Sequence, residues 1–246
     1  MNRFFVEKSQ IGKETIDICD VNDVHHFIQV LRVKKGEDLF ITDGQGAGYI
    51  AQITQVSKHR VSLKIKKTLK KNSRDEQQIK ITLACAVPKG VRFEEVVEVA
   101  TQLGIDEIIP LLTERTFIKK DAFDKKRDRL ERIMTAAAKQ SGALFLPFLR
   151  EAVYFKDFIK EADHFDLCLL PNLSERPFSL KKAVATFKAR RILVLIGPEG
   201  DFSPQERALA FQMGCQGVSL GESVLRVDTA AIATISFLKM FLYPAA

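Results

Sequence analysis

The spacing of apolar and polar residues differs between two parts of the chain, and it changes near residue 73. Within the first seventy residues, Val61–Lys66 alternates apolar and polar positions, which predicts a half-buried strand whose polar face is basic. Two more short strands, at 39–43 and 49–56, flank the glycine-rich turn 44–48, and Asp43-Gly44 is a hairpin signal. The pattern predicts a small β-rich domain over residues 1–72.

From residue 73 onward, compact apolar runs alternate with helical patterns. The runs lie at 79–87, 106–112, 166–170, 192–196 and 217–220, and the helical patterns at 92–103, 124–141, 175–188 and 204–213. Such alternation predicts an α/β domain over residues 73–246 with a mainly parallel sheet covered on both faces. Ligands of such sheets bind beyond the carboxyl ends of the strands.

One strand end carries a glycine loop. After the apolar run that ends at Ile196, Gly197 and Gly200 allow close approach of the backbone to a ligand. Ser203-Pro204-Gln-Glu206 then predicts a capped helix start. The loop is therefore a candidate ligand site, and the alternative is a tight connection that needs its glycines only for turning.

The last helix is predicted at Val227–Leu242. It is apolar almost all round, so we expect it to be buried against the sheet or another subunit. Arg226 precedes it, where the helix dipole disfavours a cation, so an anionic partner is expected: a ligand, or a carboxylate such as Glu222 or Asp228. Asp228 has an equally good interpretation as the N-cap.

Composition and missing motifs exclude several classes of protein. The 246 residues are 46% hydrophobic and 28% charged, which is typical of a globular protein. Without a run of about 18 apolar residues or a secretory signal, no membrane span and a cytoplasmic location are expected. Scattered cysteines and histidines predict reduced thiols and no metal site, and the common hydrolase and nucleotide-loop motifs are missing.

The net charge of +7 is uneven, because residues 1–72 hold 13 basic and 8 acidic residues. Residues 44–74 contain eight bases and no acid, which predicts an RNA-binding surface centred on Lys64, Lys66 and Lys67. The alternative is a solvated edge strand protected from aggregation by its lysines.

The two C-terminal motifs together resemble those of the ribosomal RNA small subunit methyltransferase E family. They read Ile196-Gly-Pro-Glu-Gly-Asp-Phe-Ser and Leu220-Gly-Glu-Ser-Val-Leu-Arg-Val-Asp-Thr-Ala. The likeness covers essentially the whole chain, including Pro88-Lys89-Gly90, the Glu114-Arg115 pair and Arg3, His26 and Arg32 in a PUA-like N-terminal module. The resemblance implies a SPOUT methyltransferase with a deep trefoil knot, which methylates N3 of a uridine in 16S rRNA.

The resemblance also implies a cofactor and a set of site residues. S-adenosylmethionine would bind three loops, without metal, in a homodimer that acts on 16S rRNA or the small ribosomal subunit. The expected cofactor-binding residues are Leu170, Pro171, Asn172, Ile196, Gly197, Pro198, Glu199, Gly200, Leu220, Gly221, Val224, Leu225 and Arg226. Arg226 and Asp228 are the expected catalytic residues, and Arg3, His26, Arg32 and Arg115 join the three lysines in binding RNA.

Five positions depart from the usual family pattern: Lys139, Ala143, Asp201, Val227 and Asp228. The family usually has Glu, Arg, Gly, Thr and Glu at these positions, in that order. Two other functions therefore stay open: another SPOUT enzyme, such as a ribose 2′-O-methylase, and an RNA-binding assembly factor without activity.

Overall fold

The computed structural model describes residues 3–69, 79–172, 178–185 and 189–243, which divide into two units. Lys70, Lys71 and Arg74, which belong to the predicted basic stretch, lie outside the described residues. The first unit comprises the described residues up to 69 and also Thr135–Leu146.

The first unit contains a five-stranded sheet in the order β1-β3-β4-β5-β2. Its strands are β1 (Arg3–Phe5), β2 (Thr15–Ile18), β3 (Asp38–Thr42), β4 (Gly48–Ser57) and β5 (Arg60–Leu69). Helix α1 (Val21–His25), a π-helical turn (His26–Val30) and a 3-10 turn (Lys8–Gln10) complete it. All the pairings are antiparallel except that of β1 with β3.

The alternation in β5 sets its two faces. Val61 and Leu63 are fully buried in a core with Ile16, Ile41 and Phe27, whereas the lysines of β5 are exposed. This confirms the predicted β-rich module with a basic polar face, because period two places alternate side chains on opposite faces.

The glycine-rich turn between β3 and β4 explains why Thr135–Leu146 joins the first unit. The amide of Gly46 donates to the carbonyl of Leu144 at 2.9 Å, and the amide of Leu146 donates to that of Gly44 at 2.9 Å. A Cβ on Gly44, whose φ is +67°, would collide with the ring of Phe5, so this position requires glycine. The sequence pattern places residues 135–146 in the second domain and does not foresee these bonds.

The second unit contains an eight-stranded sheet whose described pairings are all parallel. The order is β11-β13-β10-β12-β6-β7-β8, and β9 also pairs with β7. The strands are β6 (Lys80–Ala86), β7 (Glu107–Leu112), β8 (Phe148–Leu149), β9 (Val153–Tyr154), β10 (Leu167–Pro171), β11 (Phe178–Ser179), β12 (Arg191–Ile196) and β13 (Gln216–Ser219).

Helices cover this sheet on both faces, as the sequence predicts. The helices that follow β5 in the chain are α2 (Arg92–Gln102), α3 (Lys120–Asp124), α4 (Arg127–Ser141), α5 (Phe155–Phe158), α6 (Leu180–Ala185), α7 (Pro204–Gln212) and α8 (Val227–Leu242), with a 3-10 segment at Ile159–His164. The part of α4 from Thr135 onward belongs to the first unit. One face packs Leu193 and Leu195 of β12 against Phe155, Phe158 and Ala210. On the other side, α8 packs against α2, β6 and β12.

Helix α8 begins and ends at the predicted residues, but it is buried on one side only. Ala231, Ile235 and Leu238 are fully buried, whereas Met240 is 70% exposed. The expected burial against the sheet is confirmed for this side of α8. No described helix is long and apolar enough to cross a bilayer.

Candidate cofactor pocket

Three loops enclose a pocket at the carboxyl ends of neighbouring strands β13, β10 and β12. The first follows β10 at Pro171 and Asn172, the second follows β12 at Gly197, and the third follows β13 at Leu220. Residues of all three loops face this pocket, which is open to solvent on one side. Its lining residues are Pro171, Asn172, Ile196, Gly197, Pro198, Glu199, Asp201, Leu220, Gly221, Ser223, Val224, Leu225, Val227 and Ala230.

Most of the residues expected to bind the cofactor are thus brought together, and three are not among the lining residues. Leu170 is fully buried in the core, Gly200 turns towards Arg115, and Arg226 is exposed beside the pocket. The first turn of α8 contributes Val227 and Ala230, which sequence reasoning missed. Their three-residue spacing could have indicated them, because such positions share one face of a helix.

The loop after β12 is fixed by its own hydrogen bonds. Asp201 has a left-handed backbone, with φ +61°, at the position where the family usually has glycine. Its amide donates to the carbonyl of Pro198 at 2.8 Å, and its carboxylate accepts from the amide of Phe202 at 2.7 Å and from Arg207 at 3.1 Å. Local side-chain bonds of this kind are what allow Asp to replace Gly in a left-handed turn.

The end of this loop is held by a capping box at the start of α7. The hydroxyl of Ser203 accepts from the amide of Glu206 at 3.2 Å, and the Glu206 carboxylate accepts from the amide of Ser203 at 2.9 Å. The second oxygen of Glu206 accepts from the amide of Glu114 at 2.9 Å, so the box also anchors the segment after β7. The Ser203 hydroxyl and Lys156 lower the pKa of the Glu114 carboxyl. The predicted capped helix start is confirmed.

Arg115 holds this same loop. Its guanidinium donates to the carbonyl of Gly200 and, at 3.3 Å, to that of Asp201. The sequence assigns Arg115 only to RNA binding, whereas the structure gives it a role in positioning the loop. Glu199 is held too, because its carboxylate accepts from the amide of Lys89 at 3.0 Å and from Arg92 at 3.2 Å.

The first loop is bonded to β13, the strand from which the third loop leaves. The amide of Asn172 donates to the carbonyl of Val218 at 3.0 Å. Gly221 has φ +128°, a backbone conformation that residues with a side chain rarely adopt, although there is open space around it. Glycine is therefore required at 221 by backbone conformation rather than by crowding.

Arg226 is the N-cap residue of α8, so the alternative assignment of the N-cap to Asp228 is wrong. Arg226 is extended, and its carbonyl accepts the first helical bond, from the amide of Ala230 at 2.8 Å. Asp228 lies one residue inside the helix. Its Oδ1 is buried and has no hydrogen-bond partner among the described residues. A buried carboxylate oxygen without a hydrogen-bond partner costs free energy of folding. Its presence here indicates that Asp228 has a functional role.

Within the first unit, the expected RNA-binding residues are on the surface. Lys64, Lys67, His26 and Arg32 are exposed, and so are Arg3 and Lys66. Two of the set are already engaged: Lys66 forms a 2.8 Å salt bridge with Asp38, and Arg3 lies over the ring of Phe40 at 5.5 Å.

Two further departures from the family pattern have a place in the structure. Lys139, near the end of α4, forms a 3.2 Å ion pair with Asp23 inside the first unit. Val227 is 4% exposed and lines the pocket. Ala143 is half-buried, and nothing in the structure explains its choice.

Comparison with known proteins identifies the family. A family model described as an RNA methyltransferase domain matches residues 75–239, and one described as an RNA methyltransferase PUA domain matches residues 18–66. Ribosomal RNA small subunit methyltransferase E from Synechocystis sp. is 31% identical over 237 residues, which are 95% of this chain and 76% of that protein. The chain belongs to the ribosomal RNA small subunit methyltransferase E family.

Solved structures agree with this membership. A Legionella pneumophila protein described as a methyltransferase, in complex with the cofactor SAM, is 31% identical with a TM-score of 0.83 and 97% coverage of both chains. Ribosomal RNA small subunit methyltransferase E from Neisseria gonorrhoeae, bound to S-adenosyl methionine, is 26% identical with a TM-score of 0.81 and 98% coverage of both chains. The methyltransferase E family therefore accounts for both units of this chain.

Proposed function

We propose that this chain transfers a methyl group from S-adenosylmethionine to N3 of a uridine in 16S rRNA. The observation that carries the proposal is the pocket formed by three strand-end loops, in a chain whose family is that of ribosomal RNA small subunit methyltransferase E. The specific uridine and the N3 position come from the family resemblance, and the geometry described above is compatible with both.

The surface that the pocket offers, with glycine backbone beside apolar side chains, suits S-adenosylmethionine. Relatives that are 31% and 26% identical hold this cofactor. Gly197 presents bare backbone to the pocket, and a Cβ there would lie 3.0 Å from the ring of Phe202. Gly197, Gly221 and Leu225 are the residues we propose as its closest contacts, and Gly200 and Leu170 would act by supporting the loops.

When bound, S-adenosylmethionine supplies an electrophilic methyl group. The chain's own task is to hold the acceptor nitrogen in line with that group and to manage its proton, since neutral uridine N3 is a poor nucleophile. Loss of the N3 proton spreads negative charge over O2 and O4 of the base. A guanidinium is suited to stabilise that charge.

Arg226 and Asp228 are the residues that we propose for these two tasks. Arg226 is exposed between the pocket-lining residues Leu225 and Val227, and no carboxylate among the described residues pairs with it. We assign it the stabilisation of the uracil anion. The buried, unpartnered Oδ1 of Asp228 supports its role as acceptor of the N3 proton. Replacing Asp228 by Asn tests this role, because the amide keeps the shape but cannot take up the proton.

The first unit supplies an RNA-binding surface in this proposal. Its exposed lysines on β5, with His26 and Arg32, would contact phosphates without reading the base. The proposal also includes the trefoil knot of the SPOUT superfamily and a homodimer. The outer side of α8 supports the dimer, because exposed Met240 adjoins the stacked rings of Phe237 and Phe241, whose centroids are 5.4 Å apart.

The deciding experiment is to incubate the protein with methyl-labelled S-adenosylmethionine and unmodified 16S rRNA, both naked and assembled into small subunits. Nucleosides from the product are then separated by mass spectrometry. We expect 3-methyluridine. Label in 2′-O-methyl nucleosides would replace the proposal with the ribose methylase, and cofactor binding by calorimetry without transfer to either RNA would favour an assembly factor.

A further inference from the structure

A second concavity lies on the other side of the loop that follows β12, within the second unit. We call it the Phe117 pocket. Its lining residues are Lys89, Arg92, Glu114, Arg115, Phe117, Glu199 and Gly200. Glu199 lines both this pocket and the cofactor pocket, so one loop separates the two spaces.

Phe117 is the unusual residue of this pocket. Its side chain is 75% exposed, although phenylalanine is among the residues most often buried. The ammonium of Lys89 lies 3.6 Å from the centre of its ring. An exposed aromatic ring beside a cation is the arrangement that proteins use to stack a base of a single-stranded nucleic acid.

The charges around the ring leave two cations for a phosphate. Arg92 pairs with the Glu199 carboxylate at 3.2 Å, so those charges compensate each other. Across the described part of the chain, neither Lys89 nor Arg115 has a carboxylate within 4.0 Å of its side-chain nitrogens. Arg115 donates instead to backbone carbonyls, including that of Gly200, and these bonds leave its charge uncompensated.

The one remaining carboxylate of the pocket does not cancel this charge. Glu114 forms a 3.2 Å salt bridge with Lys156, which does not line the pocket. The pKa of Glu114 is lowered by the Ser203 hydroxyl and by Lys156, so it stays ionised and paired at neutral pH. The pocket therefore combines one open aromatic face with a local excess of positive charge.

We propose that the Phe117 pocket binds a nucleotide of the RNA strand that neighbours the target uridine, with its base stacked on Phe117 and its phosphate at Lys89 and Arg115. This inference rests on the proposed function, because it takes the cofactor pocket as the place where the target base reacts. The bond from Arg115 to Gly200 gives the neighbouring nucleotide a direct link to the cofactor loop.

The first test measures RNA binding without catalysis. A fluorescein-labelled decamer of uridine is titrated with protein at low salt, and its anisotropy is followed. Replacing Phe117 by Ala should weaken binding about 5- to 150-fold, which corresponds to about 1–3 kcal/mol for one stacked base. Phe117→Tyr should restore binding, because it keeps the ring. The matched control is Phe148→Ala, since Phe148 is 63% exposed in the same unit and lines neither pocket.

The salt dependence separates the phosphate contact from the stacked base. Lys89→Ala should reduce the slope of log affinity against log salt by about 0.7, the value for one phosphate of a single strand. Phe117→Ala should leave that slope unchanged. All variants should bind S-adenosylmethionine with wild-type affinity in calorimetry and should unfold at the wild-type temperature.

The outcomes distinguish the pocket from the proposed function. If Phe117→Ala binds the decamer as tightly as wild type, or if wild type itself shows no binding, the nucleotide site is overturned even where methyl transfer is observed. If wild type transfers no methyl group but Phe117→Ala still loses RNA affinity and Phe148→Ala does not, the site stands and the proposed reaction fails.

Discussion

Replacing Gly197 by Ala should impair cofactor binding, whereas replacing Gly200 by Ala should not. The two glycines flank Pro198 and Glu199 and are equivalent by sequence, but their surroundings differ. A Cβ on Gly197 would lie 3.0 Å from Cδ2 of Phe202 and 3.1 Å from its amide nitrogen. A Cβ on Gly200 would lie 3.4 Å from the nearest atom, on the exposed side chain of Arg115, which is an ordinary contact.

The cost at Gly197 depends on whether Phe202 can move. Its side chain is 1% exposed and its ring packs against that of Phe155, with the centroids 5.0 Å apart. The loop backbone must therefore shift instead, and overpacking of this kind costs about 1–3 kcal/mol. Because Gly197 lines the pocket, we expect the affinity for S-adenosylmethionine to fall about 5- to 150-fold. Gly200→Ala should stay within about 3-fold of wild type, since it introduces no such overlap.

The assay is isothermal calorimetry of S-adenosylmethionine binding to wild type, Gly197→Ala and Gly200→Ala. Thermal unfolding of the free proteins is the control, because about 1 kcal/mol lowers the midpoint of a domain of this size by about 2–4 °C. Gly197→Ala should remain folded at the temperature of the titration. Wild-type affinity in that variant, or an equal loss in Gly200→Ala, would refute the assignment of this loop to the cofactor.

Three other outcomes are expected. Arg226→Ala should slow single-turnover methylation by about 100- to 1000-fold, with Lys restoring it only in part, whereas a parallel loss of stability or cofactor affinity would indicate a structural role. Exchanging Lys64 and Lys67 for Glu should weaken RNA binding and flatten its salt dependence, and unchanged affinity would mean that this face is only solvated. The backbone amides of Arg191 and Arg190 donate to the Asp166 carboxylate and lower its pKa below the usual 3.8. The ionised carboxylate therefore stabilises the fold above about pH 4. The stability advantage of wild type over Asp166→Asn in urea unfolding should shrink as the pH falls below 3.8 towards the lowered pKa of the folded state, and a constant difference would contradict this account.

The features predictable from the sequence are those that depend on local pattern. Buried parallel strands are apolar throughout, so β12 and its loop could be found from the run that ends at Ile196. The capping box at Ser203 needs only residues three apart. The start of α8 at Val227 was predictable, and it makes Arg226 the N-cap, so the assignment of the cap to Asp228 was inconsistent with it.

Contacts between distant parts of the sequence could not be predicted. Glu199 meets Arg92 across 107 positions, and Arg115 meets Gly200 across 85. Single-sequence patterns report the periodicity of one element and say nothing about which surface side chains from two elements meet. The Phe117 pocket depends on such contacts, as does the grouping of Thr135–Leu146 with the first unit.

The conformation of Asp201 has a consequence for the thermodynamics of ligand binding. A glycine in that turn would give the free loop many backbone states, whereas Asp201 restricts them and bonds to Phe202 and Arg207. Less conformational entropy is then lost when a ligand orders the loop, because the loop is already preorganised in the free protein. Calorimetry should show this as a smaller entropic penalty for S-adenosylmethionine in wild type than in Asp201→Gly.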